Sequence, residues 1–187
     1  MVQITKLINP PSTKRQLQLI AGTIMGGSSL IKPKKGRHCY LSMRDKNGYW
    51  LEYKAGFLKN FASLEPFTKE KTNRWHSLCF PVFDQFLEIF YKEGKRYIDV
   101  NTLSKFWDFG LMIWFGDCGK YINGEIRFNT HIWGEEGTKI ISEYFLLCGW
   151  NTRPEKYCIV FDPVSSIKFL KTVEPVMPNF LLCNHVL

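Results

Sequence analysis

Side chains able to do chemistry are few and unevenly spread in this chain. Asp117 follows the apolar run Leu111–Phe115 and stands within Gly116-Asp117-Cys118-Gly119. Basic side chains cluster elsewhere. Lys32, Lys34, Lys35 and Arg37 share one short turn, Arg44 and Lys46 follow on the returning strand, and Lys69, Lys71 and Arg74 fall in the next predicted hairpin. Each could neutralise a phosphate and release counterions, which makes binding strongly salt-dependent. Trp50, Trp75 and His76 could stack on unpaired bases, a mode that favours RNA; core packing is the competing reading. The six cysteines (39, 79, 118, 148, 158 and 183) include no Cys-x-x-Cys pair. That argues against a disulfide framework and for reduced, mostly buried thiols. A zinc site built on Cys183 and His185 with a distant cysteine is the alternative.

The charge is divided unequally. The chain has 187 residues and a net charge of +8; residues 1–100 hold 17 Lys/Arg against 8 Asp/Glu, and residues 101–187 hold 8 against 9. Nearly all the excess lies in the first half, so a polyanion is the expected partner. Hydrophobic content of 45% and aromatic content of 16% are ample for a core. No apolar run reaches the roughly 18 residues of a membrane span, so no membrane partner is expected. Residues 1–11 have neither an apolar secretory region nor an Arg/Ser-rich presequence, which predicts a protein that acts where it is made or after losing a leader. The wealth of Phe, Tyr, Ile, Lys and Asn suggests an AT-rich coding sequence, as in organelle and phage genomes; the mitochondrion or another organelle is the expected location.

The elements that must carry these residues alternate regularly. Ser12 or Thr13 caps a helix to about Met25, with Leu17, Ile20, Ala21 and Ile24 on its apolar stripe. Gly22 and Gly26 are four apart and share one side, where they allow a second helix to approach closely. Strands flank the basic turn 32–37. A helix follows over 49–61, a hairpin over 64–78, and a helix over 82–91 that closes at Gly94. The connector 100–103 leads to a second motif helix starting at Thr102 or Ser104 and ending near Gly116. Strands around Asn123-Gly124, a helix over 135–148, a buried strand over 157–161, a short helix over 164–173 and an apolar docking tail complete the chain. The order helix, hairpin, helix, hairpin, helix occurs twice, a repeat of about ninety residues.

Two nine-residue segments carry a family resemblance: Ile20-Ala21-Gly22-Thr23-Ile24-Met25-Gly26-Gly27-Ser28 and Leu111-Met112-Ile113-Trp114-Phe115-Gly116-Asp117-Cys118-Gly119. Each resembles the signature of the LAGLIDADG homing endonucleases, in particular the single-chain, two-motif type of organellar introns. The flanking segments Leu103-Ser104-Lys105, Ile126-Arg127-Phe128-Asn129-Thr130, Phe90-Tyr91-Lys92-Glu93-Gly94-Lys95 and Ile167-Lys168-Phe169-Leu170 extend the likeness over about residues 14–180. It implies an α+β fold of two pseudo-symmetric αββαββα halves, with two central motif helices and saddle-shaped sheets. Residues 1–100 form the basic N-terminal half and 101–187 the C-terminal half.

The resemblance further implies that an aspartate at the eighth motif position holds a catalytic divalent metal on each helix. Those positions are Gly27 and Cys118 here. Glycine supplies no side-chain ligand, and a cysteine sulfur is too soft for Mg²⁺. Asp117 sits at the seventh position, about 100° round the helix, where it is expected to face away from the helix pair or cap a neighbouring group. The resulting expectation is a non-enzymatic scaffold without metal or cofactor that binds structured RNA, either rRNA or a group I intron. It would act as a ribosome-associated component alongside ribonucleoprotein proteins, or as an intron maturase. Its contacts would be Lys32, Lys34, Lys35, Arg37, Arg44, Lys46, Lys69, Lys71 and Arg74. Two alternatives remain open: a site-specific DNA homing endonuclease with an atypical or engineered active site, in which Asp117 is the candidate metal ligand, and a DNA-binding regulator that does not cut.

Overall fold

A computed structural model describes residues 10–69, 72–106 and 108–181. The first helix, α1 (Lys14–Met25), begins as the sequence predicts. Thr13 Oγ1 accepts from the Gln16 amide at 3.2 Å, and Gln16 Oε1 accepts in return from the Thr13 amide at 2.8 Å, a reciprocal cap that satisfies two otherwise orphaned donors. Residues Leu19 to Met25 are all buried, so the helix is enclosed on every side rather than half exposed.

Contacts divide the chain into two compact units, one of Met1–Leu17 with Ser28–Glu88, the other of Gln18–Gly27 with Ile89–Leu187. The units therefore do not follow the ninety-residue repeat: most of α1 packs with the later part of the chain.

In the first unit, β1 (Ser29–Ile31), β2 (Tyr40–Asp45), β3 (Ala62–Lys69) and β4 (Asn73–Ser77) form an antiparallel sheet of order β1-β2-β4-β3. Alternation sends Leu30, Leu41, Met43 and Trp75 inward, where all are buried together with Trp50, Leu51, Phe61 and Phe83. Helix α2 (Gly48–Phe57) starts where Asn47 accepts from the Tyr49 and Trp50 amides. Helix α3 (Pro81–Phe90) follows β4. Of the two readings of Trp50 and Trp75, base stacking and core packing, the structure bears out core packing. Each is 1% exposed, because their positions on α2 and β4 point into the core.

The second unit repeats the pattern. After a short hairpin, β5 (Tyr91–Lys92) and β6 (Lys95–Arg96), and a one-turn helix, α4 (Val100–Leu103), comes α5 (Asp108–Cys118). Strands β7 (Gly119–Ile122), β8 (Glu125–Asn129), β9 (Thr152–Glu155) and β10 (Cys158–Phe161) form an antiparallel sheet of order β7-β8-β10-β9, with α6 (Gly134–Leu147) and α7 (Pro163–Val173). The β7–β8 turn is the predicted Asn123-Gly124, both with positive φ (52° and 84°), as a type I′ hairpin requires. The aromatic core joins Trp114, Phe128, Phe145, Phe161 and Phe169, with ring centroids 4.8–5.5 Å apart in the Trp114–Phe128, Trp114–Phe145, Phe145–Phe161 and Phe128–Phe169 pairs.

Three element expectations change. The second motif helix starts at Asp108, not Thr102 or Ser104; the earlier turn is α4, capped by Asp99 on the Thr102 amide. The β5–β6 hairpin had no counterpart in the sequence reading, and β9, which the αββαββα order requires, had no residue range there. The C-terminal tail docks through Met177 and Leu181, both buried, while Cys183, His185 and the rest of 182–187 lie outside the described residues.

Within the second unit α1 and α5 touch through glycine. A Cβ on Gly22 would collide with the Gly110 carbonyl oxygen and lie 2.9 Å from Ile113 Cβ, and one on Gly26 would collide with Asp117 Cβ and lie 2.7 Å from Asp117 Oδ2. Neither helix can move aside without opening the buried faces around Ile24 and Ile113. Gly22→Leu is therefore expected to lower unfolding stability by about 1–3 kcal/mol through overpacking, measured by urea denaturation; an unchanged midpoint would contradict this packing.

Candidate active site and nucleic-acid interface

The C-terminal ends of α1 and α5 create the most chemically distinctive place in the second unit. Asp117 faces α1: its Oδ2 accepts a hydrogen bond from Thr23 Oγ1 at 2.9 Å, and its side chain occupies the space that Gly26 leaves. Of the two expectations for Asp117, facing away from the helix pair is corrected, and bonding to a neighbouring group is what the structure shows. Positions 22 and 113, and then 26 and 117, oppose one another, so the seventh motif position lies on the contact stripe in both helices.

Other residues fix the end of α1. Arg96 donates to the Ile24 and Gly27 carbonyls at 3.0 and 3.3 Å, and Trp133 Nε1 donates to the Met25 carbonyl at 3.2 Å. A cation beside the last carbonyls of a helix offsets its negative end. Gly27 has φ +121°, a backbone conformation suited to glycine.

An open cleft of about 540 Å³ is lined by Gly26, Gly27, Gly116, Asp117, Cys118, Gly119, Lys120, Asn129, His131 and Ile132. Cys118 brings no usable ligand. Burial, and then the Asp117 charge, push its thiol well above the usual range, and its Sγ donates to the Trp114 carbonyl at 3.5 Å. The donors that suit a hard cation are the Asp117 carboxylate and neighbouring oxygens. One carboxylate with substrate phosphates is a sufficient set for Mg²⁺, so the residues present fit such an ion.

The predicted basic residues fall in the first unit. Lys32, Lys34, Lys35 and Arg37 are all exposed and lie on or beside the turn from β1 to β2. That turn is anchored at its far end, where His38 Nδ1 lies 2.6 Å from Asp84 Oδ2 and the Cys39 amide donates to Asp84 Oδ1 at 2.9 Å. Arg44 and Lys46 are exposed on and just after β2. Arg44 stands directly across from Arg74 in the β2–β4 pair, and Ser42 across from His76, so the two arginines and His76 share one sheet face. Lys69 is the last residue of β3; Lys71 lies outside the described residues.

The sequence reading missed the corresponding face in the second unit. Register sets Lys120 opposite Arg127, and Val160 opposite both Arg127 and Arg153. Arg153 pairs with Glu125 at 3.0 Å, and Arg127 reaches Glu125 at 3.3 Å and Glu155 at 3.5 Å. The near-zero net charge of residues 101–187 concealed this lattice, although the alternation in Glu125-Ile126-Arg127-Phe128-Asn129 was its signal. Lys120, Asn129 and His131 in the cleft had no distinguishing motif.

Comparison with known proteins bears on this geometry. The model of the LAGLIDADG DNA endonuclease family matches residues 17–166, and the chain belongs to that family. Among solved structures, the homing endonuclease I-WcaI bound to its DNA recognition sequence is similar with TM-score 0.83 at 18% identity, over 93% of this chain and 87% of that one. I-DmoI in complex with DNA and Mn is similar with TM-score 0.56 at 15% identity, over 85% and 96%. Full-length DUF199/WhiA from Thermatoga maritima has TM-score 0.54 at 15% identity, over 92% of this chain and 60% of that one. At these identities the structures establish the fold. No curated protein sequence matches the chain. The expectation of a chain that is no enzyme is corrected by these findings, because the family is one of DNA endonucleases.

The paired arginines leave a titration signature. Burial first, then the charges of Arg74 and Arg44, hold the His76 imidazole below its ordinary value of 6.5. Below that value the unfolded chain binds a proton that the folded protein resists, so His76 withdraws stability as pH falls. Between pH 7 and 5 the wild type should lose more stability in urea denaturation than His76→Gln; equal losses would show that the His76 imidazole is not held below its ordinary value.

Proposed function

We propose that this chain is a site-specific DNA endonuclease that hydrolyses phosphodiesters at the Asp117 cleft. The observation that carries this reading is Asp117 itself: a carboxylate oriented by Thr23 at the junction of two buried helices and lining an open cleft. Family membership supplies the reaction class.

The sheet face bearing Arg44, Arg74 and His76, together with Lys32, Lys34, Lys35 and Arg37, supplies the grip on the sugar-phosphate backbone. Positive charge concentrated on one sheet face attracts a polyanion. Phosphate contacts of this kind set orientation, while base edges carry sequence information. The RNA reading rested partly on Trp50 and Trp75 as stacking platforms, and burial of both rings at 1% exposure removes that support.

At the cleft, Asp117 would hold a Mg²⁺-type ion together with substrate oxygens. Such an ion supplies Lewis acidity and a more acidic bound water. Thr23 fixes the carboxylate through its hydrogen bond to Oδ2. Lys120, exposed at the start of β7 and lining the same cleft, offers positive charge to the phosphate as negative charge builds on it.

The test uses duplexes enriched from a random-sequence library by binding to the full chain, incubated with Mg²⁺ or Mn²⁺. Defined breaks are expected, and Asp117→Asn should reduce their rate at least 100-fold while binding stays within a few-fold; no breaks in bound DNA would contradict cleavage. The grip is tested separately. Lys34→Ala, Lys35→Ala and Arg37→Ala together should weaken binding and flatten the salt dependence by about one unit of slope per lost phosphate contact. An unchanged slope would place the backbone contacts elsewhere.

A further inference from the structure

We infer that the enzyme cuts one strand of its duplex, as a nickase, and this inference rests on the endonuclease reading above. The two ends of the helix pair are chemically unequal. From α5 and the strands that follow it, the cleft receives Asp117, Lys120, Asn129 and His131; from α1 it receives Gly26 and Gly27. Every chemistry-bearing side chain lining the cleft therefore comes from α5 or from the residues that follow it. Asp117 is also the one carboxylate among its lining residues.

The Asp117 side chain fills the space beside Gly26, whereas position 27 is open: a Cβ built there would meet no atom within 4 Å among the described residues. The backbone there is set for glycine, with φ +121°, a region that side-chain-bearing residues rarely enter. Arg96 and Trp133 hold this end of α1 by its carbonyls, which fixes the asymmetry in the fold.

The chemistry turns this asymmetry into an outcome. In each hydrolysis a water oxygen bonds to phosphorus and the bond from phosphorus to the leaving sugar oxygen breaks. The water's proton passes to solvent, and the leaving oxygen takes up a proton to become a hydroxyl. Breaking both strands requires this at two separate phosphates. Each needs its own oxygen ligands to hold a divalent ion in place. Asp117 serves one phosphate, and the glycine side of the cleft offers no side-chain acid for the other.

The experiment is a time course on a supercoiled plasmid carrying one copy of the library-enriched duplex, with Mg²⁺ or Mn²⁺ and the full chain. Run-off sequencing of both strands locates the breaks, and a band shift on the same duplex reports binding. The expected result is open-circular DNA with a single break, always in the same strand, and at least 100-fold slower formation of that product in Asp117→Asn. Linear DNA formed as a primary product would overturn the nickase inference and leave the endonuclease reading standing. Bound plasmid that stays supercoiled would overturn the endonuclease reading and the inference with it.

Discussion

The close approach of α1 and α5 is the constraint on which the rest of the structure depends. Gly22 lies against the Gly110 carbonyl and Ile113, and Gly26 lies against Asp117. The residues on these helices, Leu19 to Met25 and Phe109 to Phe115, are buried throughout, so the interface cannot be relaxed by turning a face toward water. Because the backbones are this close, Thr23 can reach Asp117 across the pair. Because Gly26 has no side chain, the carboxylate has somewhere to sit. The same absence of bulk that builds the interface therefore positions the acid.

Charge is handled differently on the two sheets. In the first unit Arg44 and Arg74 are set side by side, and their combined field is felt by His76. In the second unit Arg127 and Arg153 are interlaced with Glu125 and Glu155. The first arrangement gains from a polyanion, since its charges are concentrated on one face. The second presents donors and acceptors with little net charge, a surface suited to polar contacts more than to long-range attraction. The uneven distribution of charge along the chain is thus reproduced in how each sheet face is built.

Much of the fold was legible in the sequence because its signals are local. Thr13 and Gln16 cap α1, Asn47 caps α2, and Asn123-Gly124 closes a hairpin; each depends only on near neighbours. What escaped had weak local patterns. Strand β9 contains Pro154 and charged residues at the sheet edge, where alternation is lost and proline is tolerated. Strands β5 and β6 have two residues each, too few to show a period. The orientation of Asp117 could have been inferred. Once Gly22 and Gly26 are assigned to the side facing a partner helix, the equivalent positions 113 and 117 must face back. The turn of about 100° between neighbouring residues sets the seventh motif position, not the eighth, on the contact stripe. The Arg127–Glu125–Arg153 lattice depends on pairing between β8, β10 and β9, which no local window contains.

The central claim is that Gly26 and Asp117 share one tightly limited space at the helix junction. A double-mutant cycle on unfolding free energy, with Gly26→Ala, Asp117→Gly and both together, tests it most directly. The contact predicts that Gly26→Ala is destabilising alone and substantially relieved when Asp117→Gly is also present, with a coupling on the order of 1 kcal/mol or more, in the range expected of touching residues. Additive effects within experimental error would mean that the two positions do not meet, and the positioning of the acid described here would be wrong.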